Sequence, residues 1–207
     1  MSHYKSIVSF YEDCFEKHGD GPEGHHWPNM DDLIKRYNIM LGVIKNSQKK
    51  NSLLDFGCGS AMLYQHILKY YSDLNVEYSG LDLSLKFIEA AKLKFPHTKF
   101  YCVDLLQRPE DLKNFDYIVI NGVFTERINL SFDEMLDYFK RMIRVIFSKA
   151  NKGIAFNVMS KQVDWEKNFL FHLPLDTLAL FLTEELTRDF VIRNDYGLYE
   201  YTTYLYK

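Results

Sequence analysis

Cysteine is scarce here and poorly placed for a scaffold: Cys14, Cys58 and Cys102 are an odd, widely spaced set with no Cys-x-x-Cys pair. That excludes a disulfide framework and a zinc knuckle, and it points to a reducing compartment. Ten glycines and five prolines in 207 residues are too few for a collagen-like or linker-rich chain. Neither sign of charge dominates. With 25 Lys and Arg against 28 Asp and Glu, the net charge of -3 gives no global attraction to phosphate backbones or anionic lipid. Nucleic acid is therefore disfavoured as a partner. No stretch approaches the roughly 18 uninterrupted apolar residues of a membrane span, and residues 1–10 contain no apolar leader behind a basic start. The expectation is a soluble, cytoplasmic protein with no membrane partner. Nothing in the sequence specifies an oligomeric state. What is present is core material: 47% hydrophobic residues, including 16 Phe and 15 Tyr, enough burial to offset chain entropy.

No repeat of fixed period and no low-complexity tract divides the chain. Residues 1–50 read as an N-terminal helical cap or lid, and residues 51–207 as one globular unit. In the cap, Ile7, Val8, Tyr11, Cys14 and Phe15 recur at helical spacing, as do Leu33, Ile34, Tyr37, Met40, Leu41 and Ile44. The Gly- and Pro-rich stretch 19–28 between them reads as a loop with Trp27 at its aromatic tip. From residue 52 the texture becomes short apolar runs, at 53–56, 76–81, 99–103, 117–120 and 154–158, separated by helical stretches. That alternation predicts an α/β fold with a mostly parallel sheet covered by helices on both faces, a three-layer sandwich. Ser131 to Glu134 has capping-box spacing ahead of an apolar helical stripe. A shorter helix is expected after Pro174. Two β-rich runs joined at Gly197 predict a closing antiparallel hairpin, for seven strands in all.

The chemistry concentrates at strand ends. Leu54-Asp55-Phe56-Gly57-Cys58-Gly59-Ser60-Ala61 sets an acid at a strand end, then two glycines, then a helix starting at Met62. Such a turn brings backbone N–H groups close to a ligand. One candidate ligand is a dinucleotide, but its usual Gly-x-Gly-x-x-Gly has Met62 in the last place here, and Asp55 brings negative charge towards the phosphates. An acid at that place suits a cationic ligand with an amino group.

At this point the sequence resembles the class I S-adenosylmethionine-dependent methyltransferases, whose first motif is Leu-Asp-x-Gly-x-Gly-x-Gly. Leu54, Asp55, Gly57 and Gly59 match it, and Ala61 replaces the third glycine. The family's second motif, an acid that holds both ribose hydroxyls, corresponds to Asp82 in Gly80-Leu81-Asp82-Leu83-Ser84. Its adenine clamp corresponds to Asp104 and Leu105; Asp104 as a helix N-cap is the structural alternative, and Leu83, next to Asp82, is a further cofactor-binding candidate. The family's fourth strand and the loop beneath the sulfonium correspond to residues 115–124, with Asn121 at the loop. Amino-methylating enzymes of nucleic acids place Asn or Asp, Pro, Pro and an aromatic there. Asn121 and Phe124 match the ends of that motif, but Gly122 and Val123 replace both prolines.

The resemblance implies S-adenosylmethionine as cofactor and methyl transfer to a small-molecule acceptor, with oxygen favoured. The alternatives are nitrogen transfer to a small molecule or nucleic acid, and a non-catalytic cofactor-binding module. Candidate catalytic residues are His25 and His26 in the Gly-rich loop and His172 in the connection after the fifth strand, which also holds Asp164 and Trp165. None has a recognisable acid partner in sequence, so positioning rather than one indispensable base is expected to dominate. Arg36 is a candidate for the cofactor carboxylate, with a surface ion pair as its alternative. No His-x-x-x-His or carboxylate cluster appears, and no metal ligand is assigned.

Overall fold

The computed structural model describes residues 4–45 and 48–207. Positions 1–3 and 46–47, parts of the segment read as a cap, lie outside the described residues. The short apolar runs form one sheet from β1 (Asn51–Phe56), β2 (Val76–Leu81), β3 (Lys99–Tyr101), β4 (Phe115–Phe124), β5 (Ala150–Ser160), β6 (His172–Leu173), β7 (Phe190–Arg193) and β8 (Glu200–Tyr206). The main path runs β3-β2-β1-β4-β5-β8-β7. The first five strands pair in parallel, and β8 returns antiparallel to β5 and β7. This is the seven-stranded sheet with its closing hairpin, turned at Gly197 with φ +71°. One strand was not anticipated: β6 adds two residues beside β5, too short to carry any alternation and stopped by Pro174.

Six helices are described: α1 (Lys5–His18), α2 (Met30–Leu41), α3 (Met62–Tyr70), α4 (Leu85–Lys94), α5 (Phe132–Lys149) and α6 (Leu175–Glu185). The α5 capping box forms as its spacing predicts. Ser131 Oγ accepts from the Glu134 N–H at 3.2 Å, and Glu134 Oε2 accepts from the Ser131 N–H at 2.8 Å. Its stripe of Met135, Phe139, Met142, Ile143 and Ile146 is buried against Leu54, Ile118, Ile120 and Phe156 on one sheet face. Each such side chain stabilises by about 1.5 to 3 kcal/mol, so α5 is held by packing rather than by propensity. On the opposite face, Leu33, Tyr37, Met40 and Leu41 of α2 pack with Leu63 of α3 against Leu53, Val119 and Ala155. Residues 30–41 thus belong to a layer of the sandwich, whereas α1 and a 3-10 turn, Glu23–His25, carry residues that line a cleft at the strand ends.

Candidate functional site

The chain reverses its winding direction between β1 and β4, the point at which open parallel sheets leave a crevice beyond the strand C-termini. A cavity lies there, with about 120 Å³ open to the centre of a water molecule. A second, of about 30 Å³, lies beside it between Asp55 and Asn121. Gly57, His25, Trp27 and Asn121 line both.

The turn between β1 and α3 is pinned from below. The N–H groups of Gly57 and Cys58 both donate to the Leu81 carbonyl, at 2.8 and 3.0 Å. Gly57, Gly59 and Ala61 all take left-handed conformations, φ +76°, +51° and +66°. The Gly59 N–H donates to Asp82 Oδ2 at 2.9 Å, and the Ser84 N–H donates to Asp82 Oδ1 at 2.9 Å. Asp82 therefore orders the turn as well as facing the cleft, and burial pushes its carboxyl above the usual range despite those two donors. The glycines serve the protein's own packing too. A β-carbon at Gly59 would collide with the His25 ring at 2.4 Å, and one at Gly57 with Val123 at 2.3 Å.

Asp55 is buried, and its only described side-chain donor is the Tyr78 hydroxyl at 2.7 Å. Loss of water raises its carboxyl to about 7; the Asp82 charge adds to this and the Tyr78 bond opposes it. Across the small cavity, Asn121 Oδ1 is buried with no hydrogen-bond partner among the described residues. A buried acceptor without a donor costs about 1 to 3 kcal/mol. Leu83 lines the larger cavity, while Leu105 is packed in the core behind it. Asp104 accepts the Tyr4 hydroxyl at 2.7 Å and the Leu106 N–H at 3.1 Å.

α1 crosses the cleft and is tied down along its length. Tyr4 binds Asp104, the Ser84 hydroxyl donates to Glu12 at 2.6 Å, and Lys86 pairs with Glu16. The following turn is fastened by Asp20, which accepts the Ser60 hydroxyl at 2.5 Å and pairs with Lys94 at 2.8 Å. His25 Nε2 lies 2.8 Å from Ser60 Oγ, and its ring stacks near Phe87 at 4.8 Å. Bonding to His25, then to Lys94 and Ser60, holds the Asp20 carboxyl well below the usual carboxylate range.

The remaining candidates separate in space. His26 Nδ1 is 2.8 Å from Glu126 Oε1, just past the end of β4, so His26 has an acid partner, as His25 has in Asp20 3.8 Å away. His172 lies in β6, away from the residues that line either cavity. It is buried with Nδ1 2.7 Å from the Ser160 carbonyl and its ring against Trp165. Asp164 accepts the Tyr199 hydroxyl at 2.8 Å on the exposed surface. Arg36 Nε donates to both oxygens of buried Glu200, at 2.9 and 3.0 Å, and its guanidinium lies 4.8 Å from the Trp27 ring centroid. No group of three or more His, Cys, Asp or Glu side chains that could hold a metal occurs among the described residues. No helix among them is long and apolar enough to cross a membrane.

Sequence reasoning missed Glu126 and Glu200. The available signal was an isolated acid inside an apolar context: Glu126 after Val123-Phe124-Thr125, and Glu200 heading Tyr201-Thr202-Thr203-Tyr204. Both are buried, which a charged residue tolerates only with a partner.

A family model described as a methyltransferase domain matches residues 54–146. Rv1506c of Mycobacterium tuberculosis, provisionally named a methyltransferase, is 26% identical over 166 residues, covering 77% of this chain and 95% of its own length. Malonyl-[acyl-carrier protein] O-methyltransferase 2 of Ilyobacter polytropus is 24% identical over 150 residues, 67% of this chain and 57% of that protein. The structure of magnesium protoporphyrin IX methyltransferase from Synechocystis PCC 6803 with bound S-adenosylhomocysteine superposes with a TM-score of 0.65 at 15% identity. It covers 98% of this chain and 99% of that one. The matched stretch, just under half of the chain, carries Asp55, Gly57, Gly59, Asp82 and Asp104 at the strand ends and is similar to a methyltransferase domain, on a fold shared with methyltransferases of known structure.

Proposed function

We propose that the protein transfers the sulfonium methyl group of S-adenosylmethionine to an oxygen atom of a small-molecule acceptor. The observation that carries this reading is the pair of groups facing the small cavity. Buried Asp55 holds a proton near neutrality, and Asn121 Oδ1 lacks a donor. A single ammonium satisfies both, and an amino-acid moiety beside Gly57 supplies one. Asp82 at the end of β2 is assigned to the ribose hydroxyls, Leu83 to the adenine face, and Asp104, next to the Tyr4 hydroxyl, to the adenine amine. Arg36 is committed to Glu200, and the N–H groups of Gly57, Cys58 and Gly59 to Leu81 and Asp82, so no residue is assigned to the cofactor carboxylate.

Bound cofactor supplies the electrophilic methyl group. The chain supplies alignment and exclusion of water, through α1 and Trp27 over the cleft. A cleft closed in this way suits a small acceptor better than a polymer. Oxygen is favoured because the Ilyobacter polytropus relative is named an O-methyltransferase and because a histidine–carboxylate pair is held at His26, between the cavity residues His25 and Trp27.

Calorimetry with S-adenosylhomocysteine tests the reading. Each charge-assisted hydrogen bond contributes about 1.5 to 3 kcal/mol, so Asp82→Ala is expected to weaken binding by at least about tenfold. Unchanged affinity in a folded Asp82→Ala variant removes the assignment.

A further inference from the structure

Glu126 is an unusual residue to find just past the end of a parallel strand: it is only 8% exposed, and one of its two oxygens is buried with no partner among the described residues. The other oxygen lies 2.8 Å from His26 Nδ1. His26 occupies the left-handed region with φ +57°, a conformation that costs a non-glycine residue free energy and persists where surrounding structure enforces it. It stands between His25 and Trp27, which both line the larger cavity, and 43% of its side chain is exposed. Tyr11, another cavity residue, turns its hydroxyl towards Thr125 and Glu126, and burial beside that carboxylate pushes the phenol well above its ordinary value. The imidazole is thus held at Nδ1 by a buried carboxylate, with Nε2 on the opposite side of the ring.

We infer that His26 is the general base for transfer to a neutral hydroxyl acceptor, with Glu126 as the residue that positions it. This rests on the methyl-transfer reading above. A carboxylate at Nδ1 fixes the tautomer with the proton on Nδ1, leaves the Nε2 lone pair free, and stabilises the imidazolium once it forms. In the step, the acceptor oxygen forms a bond to the methyl carbon as the carbon–sulfur bond breaks. That electron pair stays on sulfur, giving S-adenosylhomocysteine. The hydroxyl proton passes to His26 Nε2 and then to water. A carboxylate acceptor needs no base, and the buried acid at this wall disfavours an anion there. The titratable groups facing the pair are Tyr11 and Cys14 of α1, both raised by burial and by the Glu126 charge.

The test uses the full chain with S-adenosylhomocysteine bound and its histidines labelled with nitrogen-15. The expected spectrum shows His26 protonated at Nδ1 when neutral, and Glu126→Gln weakens that tautomer preference. Transfer from labelled S-adenosylmethionine is then measured against phenols and aliphatic alcohols paired with the matching carboxylic acids. Hydroxyl transfer is expected to depend on pH as a base-assisted step does, and His26→Gln removes that dependence. His26→Ala and His26→Gln should lower kcat by about 100- to 10,000-fold at unchanged S-adenosylhomocysteine affinity, with partial rescue of His26→Ala by added imidazole. A His26 proton on Nε2, or turnover within threefold of the parent in both variants, overturns the inference. So does transfer to the carboxylic acids alone. Failure of the parent chain to bind S-adenosylhomocysteine overturns the methyl-transfer reading itself, a result the affinity measurement separates from the others.

Discussion

The Trp27 indole fills the space that a side chain at position 122 would need. Its Cζ2 and Cη2 lie 2.6 and 2.9 Å from where a Gly122 β-carbon would stand. From Gly122 a ring of contacts leads back to the indole. The Gly122 N–H donates to Asn157 Oδ1 at 2.8 Å, and Asn157 Nδ2 donates to Glu200 at 3.2 Å. Glu200 binds Arg36, and Arg36 lies over Trp27. The aromatic tip of the loop, α2, β5, β8 and the β4 turn are therefore one mechanical unit at the cleft.

Gly122→Ala is expected to destabilise the protein, because φ +80° strains any side chain and the added methyl meets the indole. The left-handed conformation costs about 1 to 2 kcal/mol, and overpacking adds about 1 to 3 kcal/mol. Removing the indole removes only the second part, so Gly122→Ala should cost less in a Trp27→Ala background. A double-mutant cycle by urea unfolding checks this. Strictly additive losses would mean that the two residues do not touch.

Asp55 makes the ligand-free protein sensitive to pH near neutrality. Its carboxyl titrates at about 7 when folded, against about 3.9 in an unfolded chain. A group raised on folding contributes stability that is fully present below the unfolded value and is lost as pH rises through the folded one. The protein should thus lose stability between about pH 4 and about pH 7, by up to about 4 kcal/mol from this group. Asp55→Asn should flatten that slope in thermal unfolding followed across pH. The same proton should leave when an ammonium arrives. S-adenosylhomocysteine binding at pH 6 is expected to release protons, seen as a binding enthalpy that varies with buffer ionisation enthalpy, and Asp55→Asn should abolish the variation.

The Arg36 to Glu200 pair tests the ring from its buried side. Glu200 is 1% exposed, so deleting its cation leaves an uncompensated charge, a loss of about 3 to 5 kcal/mol. Arg36→Met is expected to fall in this range, with part of the stability returning as pH is lowered and the lone carboxyl takes a proton. Arg36→Met combined with Glu200→Met should be more stable than Arg36→Met alone. Chemical denaturation at two pH values decides, and a double variant weaker than the single one would remove the buried-charge argument.

The sheet and the acids at its strand ends were legible because local rules set them. Short apolar runs made β1 to β5, Ser131 with Glu134 made a cap, and Asp55 and Asp82 stood at strand ends beside glycine or a turn. What eluded the sequence was pairing at long separation. His26 meets Glu126 across 100 positions, and Arg36 meets Glu200 across 164. Nothing local in either segment marks its partner, and only the fold brings them to hydrogen-bond distance. For the same reason His25 and His26, adjacent in sequence, separate in role: the left-handed backbone at His26 sends one ring to Ser60 and the other to Glu126. His172 shows the converse, since its place in a connecting segment said nothing about the short strand that buries it.

Ala61 offers a test of the turn itself. It takes the place where the family's first motif has its third glycine, yet it keeps the left-handed conformation of a glycine, φ +66° and ψ +40°, immediately before α3. For alanine that conformation costs about 1 to 2 kcal/mol, whereas glycine adopts it freely but has about 0.5 to 1 kcal/mol more chain entropy to lose on folding. The difference favours glycine, so Ala61→Gly should raise stability by up to about 1 kcal/mol, a shift of about 2 to 4 °C in Tm for a chain of this size. The alanine methyl is fully buried, and losing it offsets part of the gain. Differential scanning calorimetry of the two proteins decides the sign. A clear fall in Tm would mean that the methyl's packing outweighs the strain, and that alanine is held here by the wall of the cleft rather than tolerated in spite of its backbone.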